Sequence, residues 1–233
     1  MKKRCILIKR TETAAIYRVD RPEKITVSLA KSLLNRNACQ RVSFIFPPGG
    51  NKVIDKLCRK TEGKLKLRVA YYASKVQLLK NHAQTGKGMR WRKPASLKEL
   101  RRLYKMSVEK YFYAPCKELL DLKKNRKEDV WFLRKAITLR GSAVLTERGL
   151  IQGVVNTIDW KDTAGRPALL VAWVWISDKL LPPQRAQAHA ALTDWLKEHA
   201  KGRIMATADS FNMRSRRFFV KLGFLPECVH FLE

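Results

Sequence analysis

The sequence predicts an α/β protein, a mixed central sheet flanked by helices and preceded by a basic α/β section. Three observations predict it. Short apolar or alternating runs recur between segments of helical period. One run, Leu169-Leu170-Val171-Ala172-Trp173-Val174-Trp175-Ile176, is apolar throughout, the pattern of a strand covered on both faces. Strong punctuation separates the segments, notably Pro47-Pro48-Gly49-Gly50, Glu147-Arg148-Gly149 and Pro182-Pro183.

In chain order, residues 5–9 and 15–19 read as strands, and 22–35 as a helix with Ile25, Leu29 and Leu33 on its apolar face. A strand over 42–46 is stopped by the Pro47–Gly50 turn. A helix over 52–60 ends near Gly63, and residues 65–72 alternate apolar and basic side chains as a strand does. Segment 82–95 is basic, contains glycine, lacks periodicity and includes Pro94; it is read as a linker between a basic section (1–81) and a second domain (96–233). Ser96, with Glu99 three residues on, makes a capping box and starts a helix through Leu97, Leu100, Leu103 and Tyr104. Two further helices are expected at about 115–122 and 128–137. A hairpin follows, 143–146 and 151–158, and then the apolar strand 169–176. Pro182-Pro183 introduces a helix to about 199, which Gly202 ends. A strand (204–208), a helix (213–222) and a strand (224–231) finish the chain.

The 233 residues carry 49 Lys and Arg against 20 Asp and Glu, a net charge of +29. The first 95 hold 24 basic and 5 acidic residues, so the excess is concentrated there. This balance points to a nucleic acid partner, RNA or DNA, because each phosphate neutralised releases condensed counterions. A solvated basic surface or an acidic protein partner is the plainer reading. With 45% hydrophobic residues the chain can bury a proper core. Five cysteines without a C-x-x-C pair, and no histidine at zinc spacing, argue against a disulfide framework and a structural metal. The basic start is followed by only four apolar residues before charge returns, too few for a signal-peptide core. No run is long enough to span a bilayer, so the expectation is a soluble, cytoplasmic protein. No Gly-x-Ser-x-Gly elbow or Walker-type loop is present, which removes those hydrolase and nucleotidase classes.

One run names a chemistry more directly: Asn212-Met213-Arg214-Ser215-Arg216-Arg217-Phe218-Phe219-Val220-Lys221-Leu222-Gly223-Phe224. It opens with a capping Asn, carries a Phe/Phe/Leu face, and closes with Gly and Phe at the passage to a strand. A second motif, Gln184-Arg185-Ala186-Gln187-Ala188-His189-Ala190, begins the helix after the apolar strand. With the element order from residue 96 onward, these resemble the GNAT superfamily, which moves an acyl group from coenzyme A to an amine. The resemblance covers about residues 96–233 and implies a GNAT-like mixed sheet, with acetyl-CoA or another acyl-CoA as donor and no metal. It implies that Gln184, Arg185, Ala186, Gln187, Ala188, His189 and Ala190 hold the pyrophosphate by helix N-terminal amides and dipole. Arg185 and Ala190 match the ends of the family's Q/R-x-x-G-x-G/A pattern, while Ala188 replaces its central glycine. His189 is expected to face cofactor or solvent. Asn212 would contact the pantetheine arm, and a backbone N–H in the splayed strand at Val174 and Ile176 would polarise the thioester. The family's acid tyrosine falls on Phe219, which has no proton to give; a thiol leaves with a pKa of about 8.5, so acid assistance is useful without being obligatory.

The apolar strand carries no carboxylate, so Asp209, after the following strand, and Asp159, at the end of the hairpin, are the candidate bases. The plainer role of each is a cap or surface carboxylate. Arg90, Trp91, Arg92 and Lys93 place an aromatic ring among cations, the combination that stacks a base and holds phosphate; the plainer role of that Trp is to anchor the chain to the core. The resulting expectation is an acyl-CoA-dependent N-acyltransferase acting on an amine in or near a nucleic acid or ribonucleoprotein. A non-catalytic nucleic-acid-binding protein on the same scaffold, and a GNAT-like nucleobase-modifying enzyme, stay open.

Overall fold

The computed structural model describes residues 5–48, 50–60, 66–74, 88–110 and 136–232. The helix stop near Gly63, the helix expected at 115–122, most of that at 128–137, and positions 82–87 of the expected linker lie outside these residues. In chain order the elements are β1 (Cys5–Arg10), β2 (Ala14–Val19), α1 (Val27–Asn37), β3 (Arg41–Ile45), α2 (Asn51–Lys60), β4 (Lys66–Ala73), β5 (Met89–Arg92), α3 (Leu97–Val108), β6 (Ser142–Glu147), β7 (Leu150–Lys161), β8 (Pro167–Ile176), α4 (Pro182–His199), β9 (Arg203–Asp209), α5 (Met213–Lys221) and β10 (Leu225–Leu232). This is a mixed α/β architecture. The chain forms two compact units: Met1–Ala73 with Lys161–Arg166 and Met205–Glu233, and Ser74–Trp160 with Pro167–Ile204.

In the first unit the strand order is β1-β2-β3-β10-β4-β9. Strands β2 and β3 are parallel, whereas β10 runs antiparallel to both β3 and β4, so the sheet is mixed. A parallel pair needs a crossover, and α1 supplies it, packing on β3. Helices α2 and α5 both pack on β10. Phe44 anchors the core, stacked on Tyr17 and meeting Phe231 edge-on, each at 5.8 Å between ring centroids. The first helix starts later than the sequence pattern suggests. Pro22–Lys24 form one 3₁₀ turn and Ile25, 4% exposed, enters the core in extended conformation. Thr26 then caps α1, its Oγ1 accepting from the Leu29 N–H at 3.1 Å. The buried face accordingly moves to Ala30, Leu33 and Leu34.

The second unit has strand order β8-β7-β6-β5. Strands β6 and β7 form the expected hairpin, turning at Arg148 (φ 49°) and Gly149 (φ 79°). Two central residues at positive φ make a type I′ turn, whose twist matches that of the strands. Ser96 caps α3 as expected: its Oγ accepts from the Glu99 N–H at 3.1 Å. Glu99 reaches back to the Ala95 N–H (2.7 Å), one residue earlier than a standard capping box. Leu100, Leu103 and Tyr104 of α3 pack against Val144, Val154 and Trp173. Strand β8 is less covered than its apolar run predicts. Only Ala168, Val171 and Trp173 are buried, because α3 covers the Trp173 face while α4 packs on β5. Met89–Arg92, within the expected linker, form β5 and pair antiparallel with β6.

Candidate functional site

Residues expected to hold an acyl-CoA fall in both units. In the second unit, α4 begins with Pro182 and Pro183 in its first turn. Proline presets helical φ but brings no N–H, so the first-turn amides that could face an anion reduce to that of Gln184. The Arg185 N–H already bonds the Leu181 carbonyl at 2.8 Å. Gln184 organises the turn: its Oε1 accepts from the Leu181 N–H (3.0 Å) and its Nε2 donates to Glu147 (3.2 Å). Arg185 is exposed, and its Nη2 donates to the carbonyls of Asp178 (2.9 Å) and Leu180 (3.0 Å). The guanidinium therefore sits over the loop that leads into α4, with its other donors available to an anion.

The remaining residues of that motif face inward as the helix turns. Ala188 is fully buried, packed with Met89, Leu145, Leu180 and Ala191. Its methyl group is enclosed by apolar side chains. His189, expected to face cofactor or solvent, is buried at 6% exposure because it lies on the packed side of α4; Ala190 is buried, whereas Ala186 is exposed and Gln187 half-buried. On β8, Val174 and Ile176 are half-buried, and Ile176 packs on the Met89 cluster. A Cβ at Gly153 would meet the Trp175 carbonyl at 2.9 Å, so the tight approach of β7 at that point requires glycine. Asp159 is exposed near the end of β7.

In the first unit, Asn212 caps α5, its Oδ1 accepting from the Ser215 N–H at 3.1 Å. The cap leaves the Nδ2 donors over. Asp209, at the end of β9, is buried and accepts from Arg68 Nε at 3.1 Å. One carboxylate oxygen is thus already committed to a guanidinium. Phe219 is 5% exposed, with its ring 5.5 Å from Phe224 and 5.8 Å from Tyr71. Burial pushes the Tyr71 phenol up to about 12. A cluster that sequence reading missed sits beside it. The buried Arg216 donates to the Tyr71 hydroxyl (3.1 Å) and the Ser210 carbonyl (3.2 Å), and pairs with Asp55 of α2. Burial also raises the nearby Cys58 thiol to about 11. The only sequence signal for this cluster was the basic run Arg214–Arg217, which does not indicate which arginine turns inward.

The four residues expected to contact nucleic acid begin on β5. Arg90 and Lys93 are exposed. Trp91 is half-buried, and its Nε1 donates to the Ala191 carbonyl at 2.9 Å. Arg92 is held by both carboxylate oxygens of Glu99, at 2.5 and 3.1 Å, which lowers the Glu99 pKa. Among the described residues no group of three or more His, Cys, Asp or Glu could hold a metal ion. No described helix is long and apolar enough to cross a membrane.

No family model matches the sequence, and no curated protein matches it. Solved structures with which the chain aligns include a GCN5-related N-acetyltransferase from Sphaerobacter thermophilus, at 12% identity over 98% of this chain and 74% of that one, with a TM-score of 0.42. Another, from Kribbella flavida, aligns at 11% identity over 94% and 80% of the two chains, with a TM-score of 0.41. A conserved protein of unknown function from Staphylococcus epidermidis aligns at 14% identity over 98% and 94%, with a TM-score of 0.47.

Proposed function

We propose that this protein is an acyl-CoA-dependent N-acyltransferase whose acceptor is an amine carried on or near a nucleic acid. The observation that carries the reading is the α5 segment. A helix capped by Asn212 follows β9, and it closes at Gly223–Phe224 before β10, as the GNAT resemblance requires. The exposed Arg185 at the start of α4 adds a cation of the type that holds pyrophosphate. The net charge of +29 supports a polyanionic partner.

In this reading the acceptor amine attacks the thioester carbon, the carbon–sulfur bond breaks, and coenzyme A leaves as its thiolate. The amine proton passes to water or to a carboxylate, with Asp209 and Asp159 as candidates. Phe219 offers no proton, so the thiolate departs without the family's tyrosine, which its low intrinsic basicity permits.

Calorimetric titration with acetyl-CoA tests the reading, paired with a thiol-release assay using amine acceptors. Binding in the micromolar range that weakens at least tenfold in Arg185→Glu is expected. Complete absence of binding in the parent protein overturns it. That outcome would favour a non-catalytic nucleic-acid-binding protein, the second reading, to which the buried Phe219 and the Arg68–Asp209 pair lend support.

A further inference from the structure

A cavity of about 520 Å³ in the second unit is lined by the C-terminal turn of α4, by β5 and by the start of β6. Its size is ordinary for a small-molecule site. Three rings form its floor. His199 lies flat on Trp195, with centroids 3.9 Å apart and planes 14° from parallel, and Trp91 sits 6.1 Å from Trp195. The rings are held in place by backbone hydrogen bonds: His199 Nδ1 pairs with the Trp195 carbonyl at 2.8 Å, and Trp91 Nε1 with that of Ala191 at 2.9 Å. Trp195 is 7% exposed, whereas His199 is exposed, so the stack presents the outer face of His199.

The rim is charged. Arg92 is neutralised by Glu99, but Lys93 and Arg140 are exposed and make no ion pair among the described residues. Glu198 is the one carboxylate in the lining. A purely apolar ligand would leave these charges idle, and a simple cation would meet a rim whose net charge is positive. A flat ring that carries phosphate satisfies every part: the ring stacks, the phosphate meets cations, and a carboxylate can accept from a ring N–H.

We propose that this cavity seats one unstacked nucleotide of a single-stranded nucleic acid, its base on His199 and its phosphates at Lys93 and Arg140. The proposal rests on the nucleic-acid part of the function proposed above and is independent of acyl transfer. A duplex does not fit it, because a paired and stacked base cannot offer its face to a ring at a cavity floor.

The test uses the intact chain, with tryptophan fluorescence followed during titration by oligo-rA, oligo-dA of equal length, AMP and coenzyme A. Either oligonucleotide quenching the fluorescence in the micromolar range supports the proposal, and the tighter of the two names the natural strand. Replacing both rim cations (Lys93→Gln with Arg140→Gln) should weaken oligonucleotide binding at least tenfold. It should also flatten the plot of log affinity against log salt by about 1.4, because each neutralised phosphate of a single strand accounts for about 0.7 of that slope. His199→Ala should cost about tenfold in affinity and leave the slope unchanged, since it removes stacking alone. Variants that bind with the parent's affinity and slope would overturn the proposal. So would coenzyme A as the sole ligand, or AMP binding as tightly as the oligonucleotides. Because the rim variants lie on exposed side chains, weaker binding at an unchanged melting temperature separates a missing phosphate interaction from an unfolded chain. Failure of acetyl-CoA to bind leaves the oligonucleotide result standing.

Discussion

Burial decides what several polar and small side chains can do. His230 is 7% exposed on β10, its Nδ1 2.9 Å from Ser43 Oγ, and burial beside Arg41 and Arg68 lowers its pKa to about 3. In the unfolded chain the same imidazole titrates near its ordinary value of about 6.5. The unfolded state therefore binds the extra proton between those values, so the stabilising contribution is complete above pH 6.5 and drains away as pH falls toward 3. The urea midpoint of the parent should drop through this window more steeply than that of His230→Gln; parallel curves would count against a buried neutral imidazole. Ala188 makes a second case. Its methyl packs with Met89 and Leu145, so Ala188→Gly, although it introduces the glycine of the GNAT pattern, should cost about 1 kcal/mol and leave any acetyl-CoA affinity unchanged. Thermal melting together with calorimetry checks both parts. Asp209 carries the same lesson, since nothing near it in sequence announces that Arg68 engages it across 141 residues.

Helix ends are where single residues decide whole elements. Helix α5 closes in a Schellman motif: the Phe224 N–H bonds the Phe219 carbonyl and the Gly223 N–H bonds that of Val220, both at 3.0 Å. Gly223 sits at φ 91°, and the Phe219 and Phe224 rings supply the hydrophobic contact that accompanies this cap. This gives Phe219 a structural role that needs no hydroxyl. Gly223→Ala should lower stability by about 1–2 kcal/mol, read from denaturant unfolding, because an L side chain resists that backbone conformation. Helix α1 ends with the opposite choice: Ala38, exposed, adopts φ 47°. Ala38→Gly should therefore stabilise the protein, by about 0.5–1 kcal/mol. A drop in stability on that substitution would mean that the strain is absent. Both helix ends follow from rules that act within five residues. The Gly-Phe stop of α5 and the Ser96 start of α3 were accordingly legible from sequence, and the start of α1 was misplaced only where tertiary burial of Ile25 intervened.

At the scale of the molecule, the dominant quantity is charge. A chain of net +29 should bind nucleic acid with affinity that falls steeply as salt rises, since release of condensed counterions drives the association. A titration series in increasing salt checks this, and a flat response would remove nucleic acid as the partner. The charge is a property of composition and needs no fold. The strand and helix alternation, the turn at Glu147-Arg148-Gly149 and the capped α5 segment were legible from residue order, because periodicity and turn chemistry are local. Two compact units, each drawing on separated stretches of chain, were not legible in this way. Nor was the union of Trp91 with Trp195 and His199, about a hundred residues apart, or the inward turn of Arg216 toward Tyr71 and Asp55. Those meetings depend on strand register and on which helix face packs against the sheet. Sequence determined the elements and the charge, whereas tertiary packing decided which side chains face a ligand and which are spent on the core, because burial is set by neighbours remote along the chain.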